Sequence, residues 1–486
     1  MMSIDEIVGV TNASVTGSVF GSINVRNILT DSRQLQIANE TLFVALRTAK
    51  NDGHKYIPAL YAKGVRLFLV EHGSALGDFS DAVFIKVENT LTALQQIAAA
   101  HRKLFNIPVL AITGSNGKTI VKEWISSMLR VDKKVVSSPK SYNSQIGVPL
   151  SVWQMKESDE FAVFEAGISQ PNEMSALQKI INPTIGIFTN VGTAHDEYFA
   201  NGAQKTAEKL KLFTNVSLLI YCADYPQIRE QLQLSLPSLK TLSWAMGKDV
   251  EADVKILSVD VRSGISLVTA DFGEQTIFGS YQLKVELPFT DSASIENAIH
   301  CWIFMLSQGY ENAEISKRIK RLQPIEMRME MKEGINHCFI INDFYNSDYN
   351  SFLIALDFLS NQHQNKFRRI ILSDILQSGR SDKDLYQDVA SALQKKGIDA
   401  IIGIGEDISK QRAAFAELQS SEFFSDTESF LRQAKTENFN NETILLKGAR
   451  TFGFERISRF FQKKVHQTVF EINIDAIVHN LNVFRS

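Results

Sequence analysis

The chain of 486 residues is 44% hydrophobic and 22% charged, and its formal net charge at pH 7 is −3. Such a composition describes a globular protein of about three domains, and the small net charge gives no sign of a nucleic-acid or membrane partner. No secretory signal pattern opens the sequence, no apolar run approaches the ~20 residues of a membrane span, and the three scattered cysteines resemble no metal site, so we expect a cytoplasmic protein with reduced thiols.

The first 104 residues have the pattern of one α/β unit. Apolar runs predict strands at Thr41–Leu46 and Val65–Val70. Helical patterns at Tyr56–Lys63 and Leu91–Phe105 alternate with these strands, and the second helix leads out of the unit. We therefore expect a small first domain at 1–104.

Residues 105–323 alternate short apolar runs with helical segments, which is typical of a mostly parallel sheet covered on both faces. Residues 253–289 change character and predict an antiparallel addition, after which the helix Ala293–Leu306 closes the domain. The predicted parallel strands are Ile107–Thr113, Lys134–Ser137, Phe161–Glu165, Thr184–Asn190 and Val216–Cys222.

Pro324 marks a boundary, and residues 324–465 predict a compact Rossmann-like domain that lacks a Gly-x-Gly-x-x-Gly motif. Its predicted strands are Cys338–Phe344, Arg369–Ser373, Ala400–Gly405 and Thr443–Lys447. The predicted fold class is thus α/β, with a central parallel-sheet domain between two smaller units.

A phosphate-binding loop is the most informative motif of the sequence. An apolar strand, a glycine-rich turn ending in Lys-Thr and a helix follow one another between residues 107 and 130. Glycines let the backbone N–H groups curl towards phosphate oxygens, the lysine reaches the β- and γ-phosphates, and the threonine hydroxyl holds Mg²⁺. The motif is a short variant, Gly-x-x-Gly-Lys-Thr, and its residues are Gly114, Ser115, Asn116, Gly117, Lys118 and Thr119.

Other polar residues follow the carboxyl ends of predicted strands, where parallel sheets bind their ligands. Glu165 ends one strand and is a candidate Mg²⁺ ligand, and His195 lies in a small-residue loop after another strand. Lys209, by contrast, has the local pattern of a solvated helix face. Two polar clusters of the third domain, 342–347 and 447–450, are either nucleotide-facing or ordinary loop residues.

Taken together, these motifs resemble the Mur ligases, the ATP-dependent amide-forming enzymes of peptidoglycan precursor synthesis, through about residue 465. The resemblance implies the family's three-domain architecture and assigns roles to individual residues. Lys118, Lys209 and His195 are the implied catalytic residues. ATP is implied to bind the loop residues Gly114 to Thr119 together with Asn297, Arg328 and Asp343.

The same resemblance implies a metal site and a substrate site. The implied Mg²⁺ site consists of Thr119, Glu165, His195 and Lys209, the last as a carbamylated lysine. The family's lysine normally stands in Lys-x-Glu, whereas this chain has Lys209-Leu210-Lys211, so Lys205 and Lys211 stay as alternatives. The implied substrate-binding residues are Ser32, Arg33, Phe43, Asp52, His54, Asn143, Tyr345, Asn346, Lys447 and Arg450.

The motifs Asp31-Ser32-Arg33 and Asp343-Phe344-Tyr345-Asn346-Ser347 are similar to those of the branch that adds D-alanyl-D-alanine. This similarity implies that UDP-N-acetylmuramoyl-tripeptide and D-alanyl-D-alanine are joined with ATP hydrolysis. Two further departures are Gln377, where an acid is common, and Glu326-Met327, where a glycine usually precedes Arg328. Alternative readings are a Mur ligase for another amino acid, a folylpolyglutamate-synthase-like ligase, and a phosphate-loop NTPase that acts as a switch or assembly module.

The segment Phe470–Leu481 has a different resemblance, to the opening strand and helix of alanine racemases. We therefore expect residues 466–486 to be a linker and the start of a racemase-like segment, in a ligase fused covalently to a racemase. No lysine able to hold pyridoxal phosphate follows within the sequence, so no pyridoxal phosphate is expected here.

Overall fold

The computed structural model describes residues 1–17, 24–48, 51–74, 77, 79–192, 198–262, 264–273, 281–325, 328–345, 347–362, 364–376 and 378–463. Three sequence-based predictions fall outside these residues, namely the roles of His195 and Asn346 and the racemase-like segment. Among the described helices, none combines the length and the apolar character that crossing a bilayer requires.

The amino-terminal part forms a five-stranded sheet in the order β2-β9-β8-β5-β4, in which only β2 runs antiparallel to its neighbour. Strands β5 and β8 confirm the two predicted apolar runs, whereas β9 and the short early strands were not predicted. The elements are β1 (Met2–Ser3), α1 (Ile4–Thr11), β2 (Ser14–Thr16), β3 (Asn24–Val25), β4 (Asn27–Leu29), β5 (Thr41–Val44), β6 (Arg47–Thr48), β7 (Asn51–Asp52), α2 (Ile57–Ala62), β8 (Leu67–Glu71), β9 (Val83–Val87) and α3 (Thr90–Arg102).

The central part forms a nine-stranded sheet, β11-β12-β10-β13-β14-β15-β16-β17-β18, which is parallel up to β16 and antiparallel beyond it. The elements are β10 (Val109–Thr113), α4 (Lys118–Leu129), β11 (Val135–Ser137), α5 (Gly147–Val152), β12 (Phe161–Glu165), α6 (Met174–Ile181), β13 (Ile185–Phe188), α7 (Gly202–Leu210), β14 (Leu218–Cys222), α8 (Pro226–Ser235), β15 (Thr241–Ala245), β16 (Val254–Arg262), β17 (Ile265–Phe272), β18 (Tyr281–Leu287), α9 (Ser292–Ser307) and α10 (Asn312–Ile319).

Strand β10 shows why this sheet is covered on both faces. Every residue of the strand is buried, and successive side chains point to opposite sides. Leu110 and Ile112 pack into one apolar cluster with helices α4 and α9, whereas Val109 and Ala111 pack into another with α5 and α6. The predicted antiparallel addition is confirmed by β16, β17 and β18.

The carboxyl-terminal part forms a six-stranded sheet, β19-β20-β24-β21-β22-β23, in which only β19 is antiparallel. The elements are β19 (Glu330–Glu333), β20 (Phe339–Asp343), α11 (Tyr349–Ser360), β21 (Phe367–Ser373), α12 (Asp382–Lys395), β22 (Ala400–Ile404), α13 (Glu406–Lys410), β23 (Ser420–Phe424), α14 (Thr427–Gln433), β24 (Glu442–Lys447) and α15 (Glu455–Phe461).

By their internal contacts the described residues form two compact units, and the first break falls after Ile325. The first unit holds both the amino-terminal and the central sheet, with the short segments 348–354 and 376–381 added to it. The two sheets of this unit are also joined directly, because Trp153 donates its indole N–H to the Arg26 carbonyl at 3.0 Å.

Candidate functional site

The turn between β10 and α4 depends on two glycines. Gly114 and Gly117 have φ values of 145° and 80°, which residues with a side chain rarely adopt. A Cβ on Gly114 would lie 2.0 Å from the Thr189 hydroxyl oxygen, and one on Gly117 would lie 2.2 Å from the Asn297 Oδ1. The predicted phosphate loop therefore has the backbone that its sequence requires, and its close neighbours leave no room for side chains at these positions.

The segment after β13 fastens this loop. Asn190 accepts two hydrogen bonds from it, at its carbonyl from the Ser115 N–H and at Oδ1 from the Asn116 N–H, both at 2.9 Å. The Thr189 hydroxyl donates to the Asn116 carbonyl at 2.6 Å, and the Gly192 N–H donates to the Ser115 hydroxyl at 2.8 Å. The loop is thus preorganised by residues about 75 positions away in sequence.

Helix α4 presents its amino terminus at the end of this loop. Its N-cap residue is Gly117, which offers no side chain to the N–H groups of the first turn. These N–H groups have no partner within a helix, and the helix dipole adds positive potential there. Lys118 folds back over the loop and donates to the carbonyls of Gly114 and Ser115 at 2.9 and 3.0 Å. Such a terminus is suited to an anion such as phosphate.

Glu165 is the last residue of β12, the strand that pairs with β10, and it is fully buried. Neither of its carboxylate oxygens has a hydrogen-bond partner in the part of the chain that the structure describes, although its N–H donates to the Ser138 hydroxyl at 3.3 Å. A buried carboxylate without a partner is costly, and oxygen donors are the ligands that Mg²⁺ prefers. The Thr119 hydroxyl, 3.0 Å from the Ser141 hydroxyl, adds the second predicted oxygen donor.

The oxygens of Glu165 and Thr119 fit a hard cation, and one of these two groups is a carboxylate. Within the described ranges, no three His, Cys, Asp or Glu side chains group into a metal site. The predicted ligand His195 lies outside those ranges. Among the described residues, Glu165 and Thr119 would supply oxygen ligands to a magnesium ion, together with groups of the nucleotide, which is common for magnesium in phosphoryl-transfer sites.

The three candidate lysines for carbamylation occupy different environments. Lys209 is buried and donates to the Gly114 carbonyl of the phosphate loop at 2.8 Å. Lys205 is also buried and donates to the Gly192 carbonyl. Lys211 pairs with Glu208 at 2.5 Å, and 42% of its side chain is exposed. Contact with the loop therefore favours Lys209 over Lys211. The burial of Lys209 differs from the solvated helix face that its local sequence suggests.

Two predicted asparagines border the same region. The carbonyl of Asn143 accepts a hydrogen bond from the Gly167 N–H at 2.8 Å, two residues after Glu165. Asn297, on α9, is buried with its side-chain oxygen against Gly117. The fold thus brings residues from six separate stretches of sequence to the carboxyl ends of β10, β12 and β13.

Sequence reasoning missed Glu296, the neighbour of Asn297. Burial raises the pKa of Glu296 to about 7, although hydrogen bonds from Tyr225 and Asn190 oppose that rise. The Tyr225 hydroxyl lies 3.1 and 3.0 Å from its two oxygens. Glu296 thus lies near Asn190, whose Oδ1 accepts from the Asn116 N–H of the loop.

His300 contacts Thr189, one of the residues that hold the loop, and its only sequence signal is its place one turn after Asn297 on α9. Trp244 donates to its Nδ1 at 3.2 Å, so Nε2 carries the proton and donates to the Thr189 carbonyl at 3.1 Å. Burial lowers the pKa of His300 to about 4, so the ring is neutral at physiological pH.

The predicted amino-terminal residues form a second, more exposed cluster. The ring of His54 lies between Asp52, 2.6 Å from its Nδ1, and the Glu71 N–H, which donates to its Nε2 at 3.1 Å. Hydrogen bonds from the backbone N–H and the ring of His54 lower the pKa of Asp52 to about 2. Arg47 pairs with Asp52 at 3.1 Å and with Glu71 at 3.0 Å.

Two other predicted amino-terminal residues differ sharply in exposure. Arg33 pairs with Asp31 at 2.7 Å and leaves 87% of its side chain exposed, beside Ser32 in a short 3-10 turn. Phe43 is 1% exposed and packs edge-on against Phe68 in the core. Phe43 thus packs in the core, because alternate side chains of β5 fill both faces of its sheet, and its predicted substrate contact stays a prediction.

The predicted residues of the carboxyl-terminal domain lie close together. Lys447 is buried and pairs with Asp343 at 2.7 Å, across the neighbouring ends of β24 and β20. The guanidinium groups of Arg328 and Arg450 lie 4.7 and 5.8 Å from the ring centre of Tyr345. This half of the molecule thus brings two arginines, a lysine, a carboxylate and a tyrosine to one edge of its sheet.

Comparison with known protein families gives three matches along the chain. Residues 24–102 match the catalytic domain of the Mur ligase family, residues 112–305 the Mur ligase middle domain, and residues 327–450 the glutamate ligase domain of Mur ligases. The breaks between the matches lie near 105 and 324, where the sequence predicts domain boundaries.

Curated relatives and solved structures resemble the chain over most of its length. The UDP-N-acetylmuramoyl-tripeptide–D-alanyl-D-alanine ligase of Bacillus subtilis is 25% identical over 89% of this chain and 92% of its own. The ligase of the same name from Synechocystis is 28% identical, over 89% and 90%. A crystal structure of MurF from Acinetobacter baumannii superposes with a TM-score of 0.79 at 22% identity, covering 94% of this chain and 97% of the other.

Proposed function

Because the chain belongs to the Mur ligase family, we propose that it joins UDP-N-acetylmuramoyl-tripeptide to D-alanyl-D-alanine, with conversion of ATP to ADP and phosphate. Relatives that match about nine-tenths of the chain are named after these two substrates, which supports the proposal. The product would be UDP-N-acetylmuramoyl-pentapeptide, a precursor of peptidoglycan, and the site of this synthesis would be the cytoplasm.

The phosphate loop and its neighbour Glu165 support the ATP-dependent part of the reaction. A glycine loop with an uncapped helix terminus lies beside a fully buried carboxylate whose two oxygens lack hydrogen-bond partners. The helix terminus and Lys118 supply positive charge for phosphate, and Glu165 and Thr119 supply oxygen for magnesium. A buried glutamate with a purely structural role would be expected to accept a hydrogen bond from a donor of the protein.

The chemistry explains why a ligase needs such a site. A carboxylate is a poor electrophile, so the terminal carboxylate of the tripeptide attacks the γ-phosphorus of ATP, forms an acyl phosphate and releases ADP. The dipeptide amine then attacks the acyl carbon, an amide bond forms, and phosphate leaves with the electrons of the broken C–O bond. Lys118 neutralises charge that develops on the transferring phosphoryl group.

Magnesium, when bound, would neutralise charge on the phosphate oxygens, and Glu165 and Thr119 would hold it. Asn190 and Thr189 keep the loop in its phosphate-binding shape before nucleotide arrives. Preorganisation of this kind lowers the barrier because the donors need no rearrangement during the reaction.

We also propose that Lys209 is carbamylated, as the resemblance implies. Its contact with the loop carbonyl of Gly114 supports this choice, whereas Lys211 has a partly exposed side chain that pairs with Glu208, which argues against Lys211. Intact-mass and peptide mass analysis at neutral pH with bicarbonate tests the assignment. Modification at Lys205 or Lys211 instead would move the ligand to a different residue.

The alanine-racemase resemblance of Phe470–Leu481 supports a further proposal, that this segment belongs to a fused racemase and takes no part in ligation. Deletion of residues 467–486 should leave the ligation rate and the melting temperature unchanged. A large fall in either would assign the segment to the ligase.

Phosphate release tests the proposed function directly. Purified protein is incubated with ATP, Mg²⁺, a UDP-N-acetylmuramoyl-tripeptide ending in lysine or in diaminopimelate, and D-alanyl-D-alanine, and each component is omitted in turn. Ligation requires that phosphate release depend on both the tripeptide and the dipeptide. ADP formation that is indifferent to the dipeptide would favour a nucleotide switch, and dependence on another amino acid would favour a different ligase of the family.

A further inference from the structure

Lys122 is a fully buried lysine one turn beyond Lys118 on helix α4. Its ammonium group donates to the Ser138 carbonyl at 2.6 Å and to the Lys140 carbonyl, and it pairs with Glu123 at 2.7 Å. An ammonium group has three donors, and here three oxygens receive them. Burying a charge is costly unless every donor is used. Loss of the two carbonyl contacts would therefore leave a buried ammonium group unsatisfied, so the lysine and the segment that it binds stabilise each other.

That segment is the tight turn that follows β11. Lys140 has a φ of 49°, in the left-handed region, and the Tyr142 N–H closes the turn on the Pro139 carbonyl at 3.1 Å. The two carbonyls that Lys122 binds lie on either side of Pro139. The ammonium group therefore holds the backbone of the turn at two points and stabilises a conformation that a lysine residue seldom adopts by itself.

The turn in its place supports three parts of the candidate site. The Ser138 hydroxyl accepts from the Glu165 N–H, at the end of β12. The Ser141 hydroxyl lies 3.0 Å from the hydroxyl of Thr119, the predicted magnesium ligand. Asn143, two residues further on, accepts from Gly167 and is a predicted substrate-binding residue, so residues 142–149 form a candidate substrate loop. One buried cation thus connects the phosphate-loop helix with both oxygen donors and with the substrate loop.

We infer that Lys122 is a positioning residue for the ligation reaction: it holds the 138–141 turn so that the magnesium oxygens and the substrate loop keep their relative places. The inference rests on the proposed function for its kinetic consequences. Its structural basis, a satisfied buried ammonium on two turn carbonyls, is independent of the identity of the substrate. Lys122 is fully buried and its three donors are taken by Ser138, Lys140 and Glu123, so it would act through the turn.

Lys122→Met tests the inference, since methionine keeps an unbranched chain and removes the ammonium group. The matched control is Lys134→Met, at an exposed lysine beside the first residue of β11. Loss of a buried hydrogen-bond partner predicts roughly tenfold increases in the Mg²⁺ concentration for half-maximal rate and in the KM for the UDP-substrate. The KM for D-alanyl-D-alanine should stay within about twofold of the wild-type value, because the hydrogen bonds described for the turn run to Lys122, Thr119 and Glu165, on the magnesium side of the site.

A binding measurement separates this inference from the proposed function. Calorimetric titration of ATP with and without Mg²⁺ needs no ligation, and Lys122→Met should lose most of the magnesium-dependent gain in affinity. A wild-type protein that binds Mg²⁺ and ATP but does not ligate would count against the proposed function alone. A folded Lys122→Met protein with wild-type magnesium dependence and a wild-type KM for the UDP-substrate would overturn the inference.

Folding of the variant is checked by circular dichroism and by its melting temperature. If Lys122→Met does not fold, Lys122→Gln is measured instead, because its amide can still donate to a carbonyl and should restore part of the magnesium dependence. If neither variant folds, the lysine is needed for folding as such and the positioning role is rejected.

Discussion

The phosphate-loop region and the amino-terminal cluster around His54 hold polar groups in opposite ways. At the phosphate loop, the buried carboxylate of Glu165 has no hydrogen-bond partner among the described residues, and hydrogen bonds with Asn190 and Thr189 hold the backbone of the loop. In the cluster, Asp52 keeps 43% of its side chain exposed and is satisfied by His54 and Arg47. In the first region the Glu165 carboxylate is available to bind a ligand, whereas in the second region the charged side chains are paired with one another.

This difference has an energetic consequence. Exposed ion pairs contribute about 0–1 kcal/mol because water screens them and long side chains lose freedom. A buried carboxylate or a preorganised cation acts at low dielectric, where its removal changes rate by orders of magnitude. Substitutions should therefore affect catalysis strongly at the loop, whereas loss of an ion pair in the cluster should change stability only weakly.

Lys118→Ala should lower the ligation rate by roughly 10²–10³ or more, because it removes a cation from a site where phosphoryl charge develops. The measurement is steady-state phosphate release, with circular dichroism to establish that the variant is folded. Lys179→Ala, at an exposed lysine of α6, is the control and should retain wild-type turnover. Near-normal turnover by folded Lys118→Ala would refute the phosphate-loop assignment.

Lys209→Ala should also be nearly inactive, if the carbamate supplies an anionic oxygen beside magnesium. Small carboxylates such as acetate or formate should restore part of the rate, since they replace the lost oxygen ligand. Lys211→Ala serves as the comparison and should stay close to wild type, because its side chain lies half-exposed beside Glu208. Equal loss in both variants without carboxylate rescue would contradict the assignment.

Glu165→Gln should raise the Mg²⁺ concentration needed for half-maximal rate by roughly tenfold, because a neutral amide binds a hard cation more weakly than a carboxylate. His195→Ala should shift the same titration if its predicted role is right. Glu157→Gln, at an exposed residue, provides the baseline. Magnesium curves for Glu165→Gln and His195→Ala that superimpose on the wild-type curve would place the metal elsewhere.

Asp52→Asn should have the smallest effect, on stability, and its pH dependence has a definite sign. The pKa of Asp52 is about 2 in the folded protein and 3.8 for a free side chain, so folding favours the ionised form. Its contribution is therefore present above about pH 4 and disappears as the pH falls towards 2. We expect a difference below about 1 kcal/mol at pH 7 in urea unfolding, because the pair is exposed. A difference that persists at pH 2 would have another cause.

The contrast also shows what local sequence can predict. The alternation of apolar runs indicated β10, β12, β13, β14 and the main strands of the carboxyl-terminal sheet, since buried parallel strands are apolar throughout. Strand β23 was missed because most of its residues are partly or fully exposed and leave no apolar run. Strand β15 was missed although all but its first residue are buried, since serine and threonine interrupt its pattern.

The sequence by itself determined the α/β class, the phosphate loop with Lys118 and Thr119, and the Mur ligase resemblance, because each depends on residues adjacent in the chain. Only the tertiary structure decided how the loop is held. Asn190 reaches Asn116 across 74 residues, and His300 reaches Thr189 across 111. The same holds for Lys209, which local sequence places on a solvated face and the fold buries against the loop. Contacts between distant segments depend on the order of strands in the sheet, which no local pattern encodes.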